Sequence, residues 1–136
     1  MKYSIVIEKR DFWYVFMPDV PEFIAWGVTK PEALLAARNT LINIFKAYFC
    51  KRKKIPMPST KGDQFIELPI SINAKILLLN EFLEQGITKT NLAKTIMVSP
   101  QELSRLLNLS HSTKIDTIQR ALNLMGKNLE LTLEHH

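Results

Sequence analysis

The apolar positions of the chain follow a strand-like pattern in its first part and a helix-like pattern afterwards. Residues 2–8 (KYSIVIE) and 12–17 (FWYVFM) are rich in β-branched and aromatic side chains and flank a charged corner, which predicts a β-hairpin. Residues 23–29 (FIAWGVT) predict a third strand, and residues 64–70 (QFIELPI) a fourth short one.

A long helix is predicted between the third and fourth strands. Thr29 and Glu32 form a capping box, in which the Thr hydroxyl accepts a backbone N–H and the Glu reaches back. Pro56 and Pro58 exclude continuation of the helix. The apolar stripe that follows the cap has helical spacing and comprises Leu34, Leu41, Ile44, Phe45 and Tyr48. The order β-β-β-α-β predicts an α+β domain over residues 1–70.

Helical periods dominate from Ser71 onward and predict an all-α second domain over residues 71–133. An amphipathic helix ends at Gly86, a natural C-terminal cap. Ser99 and Glu102 form a second capping box, with Pro100 at the first helical position. The predicted helices span 71–85, 88–96, a short segment from 100, and 113–124, and the alternating segment 128–133 (NLELTL) predicts a short terminal strand.

The second and third helices of this domain have the spacing of a helix-turn-helix. The outer positions then suit a major groove, since Gln pairs with adenine and Arg with guanine, while Ser adapts to either. The alternative is a small helical bundle with solvated polar positions. Met97 stands where the turn usually has glycine, so it must take a left-handed backbone or shift the turn. The candidate DNA-binding residues are Lys89, Thr90, Ser99, Gln101, Ser104, Arg105, Ser112, Thr113 and Lys114.

Charge supports the DNA reading and limits the other chemistry. The net charge is +5, and residues 88–127 hold six bases but two acids, as a phosphate-facing surface requires. A single cysteine, Cys50, fits a reducing cytosol, and no apolar run predicts a membrane span or signal peptide. Residues 134–136 resemble the start of a purification tag, which leaves His111 as the one native histidine. We therefore expect no metal site and no cofactor.

The N-terminal domain offers five candidate contacts to a protein partner. Trp13 and Trp26 would be interface anchors, or either would lie on the face that packs against the helix. Asp11, Asp19 and Glu22 would pair with a basic partner, although Asp19 would equally well stabilise its proline-flanked turn. The basic run 51–54 suits a helix C-terminus, where the helix dipole stabilises cations, and its alternative role is a contact with DNA phosphates.

Nearly the whole chain resembles the HicB antitoxins of bacterial type II toxin–antitoxin systems. The resemblance lies in residues 14–34 (YVFMPDVPE…GVTKPEAL), 55–59, 65–83 and 112–131, the last typical of a branch that ends in a Cro/repressor-like helix-turn-helix. It implies a partial ribonuclease-H-like N-terminal domain that occludes the active site of a HicA-like small basic ribonuclease toxin. It also implies a C-terminal domain that represses the operon's own promoter by binding operator DNA.

Two other functions compete with this non-enzymatic antitoxin. One is a stand-alone transcription regulator with a ligand-sensing N-terminal domain, and the other is an active nuclease with a DNA-targeting tail. The predicted helix from residue 100, which would read the bases and is called the reading helix, covers only a short stretch of DNA. We therefore expect a homodimer, or a tetramer built from such dimers. The alternating segment 128–133 would pair with its symmetry mate and so fix the dimer.

Overall fold

The structure, a computed structural model that describes residues 1–134, divides the chain into two compact units. The first unit covers residues 1–69 and the second starts at Ile70. The first is mixed α and β, and the helices of the second include a helix-turn-helix. Of the expected tag remnant, His135 and His136 lie outside the described residues.

The first unit contains five strands, so the prediction of four strands in the order β-β-β-α-β was wrong. The expected first strand is divided at Ile5, whose N–H donates to the Gln64 carbonyl at 3.0 Å. On one side of Ile5 the chain pairs with the last strand, and on the other side with the next strand. The elements are β1 Lys2–Ser4, β2 Val6–Lys9, β3 Trp13–Phe16, β4 Ile24–Gly27, α1 Lys30–Cys50 and β5 Phe65–Glu67.

Antiparallel pairing produces a three-stranded sheet in the order β2-β3-β4 and a two-stranded sheet of β1 and β5. Helix α1 packs against one face of the three-stranded sheet, where Val15 lies opposite Ala25 and both are buried. The start of α1 approaches β4 so closely that only glycine fits at position 27, since a Cβ there would lie 2.5 Å from the Ala33 nitrogen. The buried stripe of α1 comprises Ala33, Ala37, Leu41 and Phe45.

The segment between α1 and β5 has no regular secondary structure but is anchored to the strands. The Tyr3 hydroxyl donates to the Pro56 carbonyl at 2.8 Å, and the neighbouring Ile55 is buried. Gly62 lies so close to Ser4 that a Cβ would approach the Ser4 hydroxyl to 2.4 Å. These contacts fix a long connection against the first strand, and the site described below uses part of it.

In the described part of the second unit, residues 70–134, four helices surround an apolar core. Gly86 and Gly126 both have a left-handed backbone conformation, with φ of 63° and 85°. This confirms the prediction that the first helix of the unit ends at Gly86. The core is formed mainly by leucine and isoleucine, including Leu78, Leu92 and Ile118. The helices are α2 Ile70–Gln85, α3 Lys89–Ile96, α4 Pro100–Leu106 and α5 Ile115–Leu124.

The predicted terminal strand over residues 128–133 is absent from the single chain. These residues have no assigned secondary structure, and Leu131 and Leu133 are 71% and 99% exposed. A strand needs a neighbour to satisfy its backbone groups, and a helical unit offers none.

Candidate nucleic-acid interface and docking face

Two capped helices and a tight turn build the helix-turn-helix. Thr88 caps α3 by accepting the Asn91 N–H at 3.1 Å, and Ser99 caps α4 by accepting the Glu102 N–H, also at 3.1 Å. Between them, Met97 has φ 60° and ψ 47° and is 69% exposed. Of the two outcomes expected for Met97, the structure shows the left-handed conformation, and the side chain gains little burial in return.

Helix α4 has one buried and one exposed face. Leu103 and Leu106 are buried in the core of the unit. Gln101, Ser104 and Arg105 share the opposite, exposed face, as their spacing of three and one residues dictates. The Ser104 hydroxyl donates to the Pro100 carbonyl at 3.1 Å, so it can serve DNA only as an acceptor while that bond persists. The three candidate base-contacting side chains of α4 are therefore on its exposed face.

The remaining candidate DNA-binding residues lie at the ends of helices. Lys89 and Thr90 are exposed in the first turn of α3, and Ser99 is exposed while its hydroxyl caps α4. Ser112 and Lys114 are exposed before α5, and the Thr113 hydroxyl lies 3.3 Å from His111 Nδ1. Backbone N–H groups at helix starts together with basic side chains favour phosphate.

Sequence reasoning missed the residue that holds this region together, Lys75 in α2. Its side chain is 1% exposed, and Nζ donates to the carbonyls of Arg105, Asn108 and His111 at 3.0, 2.9 and 2.5 Å. Burial lowers the pKa of Lys75 to about 8. The available signal was a lysine in phase with the apolar stripe of α2, three residues before Leu78 and seven before Phe82.

The sheet face opposite α1 in the first unit is open and largely apolar. The cross-strand rows Val6–Phe16–Ile24 and Glu8–Tyr14–Trp26 lie on this face, which we call the open face. Trp26 is 55% exposed, and its ring centroid lies 5.2 Å from that of Phe12. The guanidinium of Arg10 lies over the Tyr14 ring at 5.5 Å. Exposed apolar patches of this kind are typical of interaction surfaces.

The two tryptophans, for which either face was expected, lie on opposite faces. Trp26 belongs to the open face, whereas Trp13 pairs with Gly27 on the face that α1 covers. Trp13 is half-buried, with the Lys9 ammonium 5.4 Å from its ring centroid. Asp11 lies next to the open face, where its carboxylate accepts the Tyr14 hydroxyl at 3.1 Å.

Asp19 and Glu22 have partners within the unit. The Asp19 carboxylate accepts the hydroxyls of Ser59 and Thr60 at 2.8 and 2.7 Å, as well as both backbone N–H groups. Desolvation alone would raise the pKa of Asp19, but these hydrogen bonds outweigh it and lower the pKa from 3.8 to about 2. The Tyr48 hydroxyl donates to Glu22, which lowers the pKa of Glu22 and raises that of Tyr48 to about 12.

Comparison with known proteins places both units. The family model for the HicB-like antitoxin of bacterial toxin–antitoxin systems matches residues 2–77, and a helix-turn-helix model matches residues 79–131. The chain belongs to the HicB antitoxin family.

Relatives support this membership over nearly the full length. The chain is 48% identical to Antitoxin HicB 2 of Photorhabdus laumondii over 132 residues, which are 96% of this chain and 95% of that protein. It is 43% identical to Antitoxin HicB of Escherichia coli K12 over 137 residues, covering 98% and 99%. Antitoxin HicB 1 of P. laumondii is 38% identical over 136 residues, covering 98% and 88%. The expected HicB resemblance is confirmed.

The family matches identify the kind of protein and the kind of C-terminal unit. The chain is of the antitoxin class and carries a DNA-binding helix-turn-helix. In residues 1–134, no group of three or more His, Cys, Asp or Glu side chains is placed to hold a metal ion. Within the same residues, no helix has the length and apolar character that crossing a membrane requires.

Proposed function

We propose that the chain is an antitoxin that occludes a HicA-type ribonuclease toxin with its N-terminal unit and represses its own operon, as a dimer, through its helix-turn-helix. The open face is the observation that supports the proposed binding to the toxin. It displays the exposed Trp26 and Phe12 and the half-buried Tyr14 in a unit whose family is named for antitoxins. The protein acts without catalysis of its own, in the bacterial cytoplasm, and without a cofactor.

The open face suits a protein partner for energetic reasons. Trp and Tyr dominate binding hot spots because they bury large area and lose little conformational entropy. The exposed rows Val6–Phe16–Ile24 and Glu8–Tyr14–Trp26 offer such anchors across three strands. Glu8 and Asp11 at this face would meet a basic toxin.

The five candidate toxin contacts take different roles in this proposal. Trp26 and Asp11 touch the toxin directly. Trp13 stiffens the sheet from the face that α1 covers. Asp19 holds the loop at Ser59, and Glu22 holds Tyr48 near the end of α1. A sheet covered on one side by one helix would correspond to a partial ribonuclease-H-like fold that retains the scaffold for inhibition alone.

Operator binding rests on the exposed face of α4 and the helix starts around it. Gln101 and Arg105 would read base edges, with Ser104 as an acceptor. The phosphate contacts come from the residues that frame α4, namely Lys89, Thr90, Ser99, Ser112, Thr113 and Lys114. The local positive balance of residues 88–127 supports this division.

Dimerisation would use the tail. Residues 128–133 alternate apolar and polar side chains, and Leu131 and Leu133 are exposed in the single chain. Pairing of two tails about a two-fold axis would form a ribbon that satisfies the backbone and sets the spacing of the two reading helices. Tetramers would follow from pairing of such dimers.

One co-purification experiment tests the proposal. The tagged chain is expressed together with the gene next to its own, and the purified material is analysed for a small basic protein, for RNA cleavage and for binding to its promoter DNA. We expect a stable complex that does not cleave RNA and that shifts the promoter duplex. A retained metabolite would instead favour a ligand-sensing regulator, and magnesium-dependent cleavage by the chain alone would favour a nuclease.

A further inference from the structure

Lys75 occupies a position in the second unit that core packing does not explain. It lies in phase with the apolar stripe of α2, with Leu78 and Leu79, yet it carries an ammonium group. Placing an unpaired charge in such a position is strongly unfavourable, so the partners of the group must compensate. The partners of the Nζ atom described above are three backbone carbonyls, and none of these three is a carboxylate.

The three carbonyls belong to the end of the reading helix and to the loop after it. Arg105 is in the last turn of α4, and its carbonyl accepts the Asn108 N–H at 3.2 Å as well as the Lys75 ammonium. Asn108 and His111 are in the loop that leads to Ser112, Thr113 and Lys114. One ammonium has three N–H groups, and here each of them has one acceptor.

The loop is also stabilised by its own hydrogen bonds, but these do not tie it to α2. The His111 N–H donates to the Asn108 carbonyl at 3.1 Å, and the Ser110 N–H donates to the Asn108 side chain at 3.0 Å. Both bonds act within four residues. The Lys75 bonds span 30 to 36 residues and so fix the loop and the end of α4 to a different helix.

We propose that Lys75 is a positioning residue for DNA recognition, which sets both the angle of α4 and the path of the phosphate-contacting loop. The inference rests on the proposed operator binding. Since its side chain is 1% exposed, Lys75 acts only through the residues that it holds. Arg105 is the most direct of these, because the carbonyl of the same residue accepts one of the three bonds.

A double-mutant cycle separates positioning from general stability. Lys75→Met keeps the apolar stem and removes the ammonium, and Arg105→Ala removes the base contact. Affinity is measured for a labelled duplex that spans the chain's own promoter and for a scrambled duplex, at a temperature where circular dichroism shows each variant to be folded. We expect Lys75→Met to weaken promoter binding by about tenfold or more, and the double variant to lose much less than the product of the single losses.

A matched cycle with Lys89→Ala provides the control. Lys89 lies at the start of α3, and none of the three carbonyls belongs to that helix. We expect the losses from Lys75→Met and Lys89→Ala to multiply. Multiplicative losses in the Arg105 cycle as well, or unchanged promoter affinity of Lys75→Met, would overturn the inference. Failure of the wild type to bind the promoter duplex would instead refute the proposed operator binding.

A second variant and one wild-type measurement cover the case in which Lys75→Met does not fold. Lys75→Gln replaces the ammonium by a shorter, neutral amide with two N–H groups, which can reach fewer of the carbonyls, so we expect the same coupling to Arg105 at a smaller size. In the wild type, nitrogen-detected NMR of lysine side chains should give one ammonium signal protected from solvent exchange, assigned by its loss in Lys75→Gln or Lys75→Arg. A wild-type spectrum with no protected ammonium would overturn the inference irrespective of the variants.

Discussion

The rings of Trp26 and Phe12 lie with their centroids 5.2 Å apart on the side of the sheet that α1 does not cover. Trp26 comes from β4, and Phe12 from the turn before β3, so the pair joins an edge strand to the hairpin corner. Tyr14 lies directly opposite Trp26 on the neighbouring strand. All three aromatic residues therefore lie on the same side of the sheet, and the first prediction concerns Trp26.

Replacing Trp26 should separate toxin binding from stability. Trp26→Ala is expected to weaken binding to the co-encoded toxin by about 2 kcal/mol or more, as for a hot-spot tryptophan, and to change the free energy of unfolding by less than about 1 kcal/mol. Titration calorimetry and urea unfolding measure the two quantities. Trp13→Ala is the matched control, since Trp13 is half-buried on the α1 side. It should lower the free energy of unfolding and leave the toxin affinity of the folded protein unchanged.

Replacing Arg105 should affect DNA recognition alone. Arg105→Ala is expected to weaken promoter binding by about 1–3 kcal/mol and to relax base preference, because a bidentate base contact is lost. Lys89→Ala should weaken binding to promoter DNA and to scrambled DNA alike. It should also reduce the slope of log affinity against log salt concentration by about 1, as for a phosphate contact. Fluorescence anisotropy at several salt concentrations measures both effects. Loss of toxin inhibition by Arg105→Ala would contradict the division of labour between the two units.

Asp19 should make the first unit sensitive to acid. Its folded pKa of about 2 lies below the ordinary value of 3.8, so its stabilising contribution is complete above about pH 5 and is lost progressively as the pH falls from there towards 2. Asp19→Asn should therefore cost about 1–2 kcal/mol at pH 7, a figure reduced for the partial exposure of the carboxylate. Urea unfolding from pH 7 to pH 2 measures this. A difference between variant and wild type that persists unchanged at pH 2 would contradict the assignment.

Met97 should be a site of stored backbone strain. Its left-handed backbone is costly for a side chain with a Cβ, so Met97→Gly is expected to raise the free energy of unfolding by about 0.5–1 kcal/mol. Gly86→Ala is the matched control. A Cβ at Gly86 would meet nothing within 4 Å, so its expected cost of about 1 kcal/mol would be due to the left-handed backbone alone. Thermal unfolding of both variants measures these changes, and destabilisation by Met97→Gly would show that the Met97 side chain contributes packing.

Removal of the tail should abolish the dimer. Deletion of residues 128–133 is expected to yield folded monomers that bind promoter DNA weakly, since the cores of both units lie before residue 128. Sedimentation velocity measures the mass, and circular dichroism checks that the helices remain. A dimer that survives the deletion would place the two-fold interface elsewhere in the chain.

The local elements of the second unit were predictable because their signals lie within a few residues. Thr88 and Ser99 accept N–H groups three residues ahead, so the cap and its partner are adjacent in sequence. Gly86 ends α2 by adopting a backbone that other residues avoid. Such signals depend on the backbone of one turn, and no distant part of the chain alters them.

The division of the first strand at Ile5 was not predictable from its pattern. Residues 2–8 are uniformly β-branched or aromatic at the apolar positions, and nothing in them marks a break. The break arises because β1 pairs with β5, some sixty residues later, whereas β2 pairs with β3. Strand pairing over such a distance depends on the packing of the whole unit.

By itself, the sequence determined the capped starts of α3 and α4, the end of α2 at Gly86, the helix-turn-helix, the exposed polar face of α4 and membership in an antitoxin family, because these depend on local periodicity and on motifs. The start of α5 was predicted at residue 113 but lies at Ile115, because no side chain caps it. Only the tertiary structure decided which tryptophan faces outward, since alternation along a strand fixes two faces but does not say which one a helix will cover. It also decided that Asp19 would bind a loop forty residues away and that Lys75 would hold the reading helix. A buried polar group must find its partners wherever the folded chain brings them.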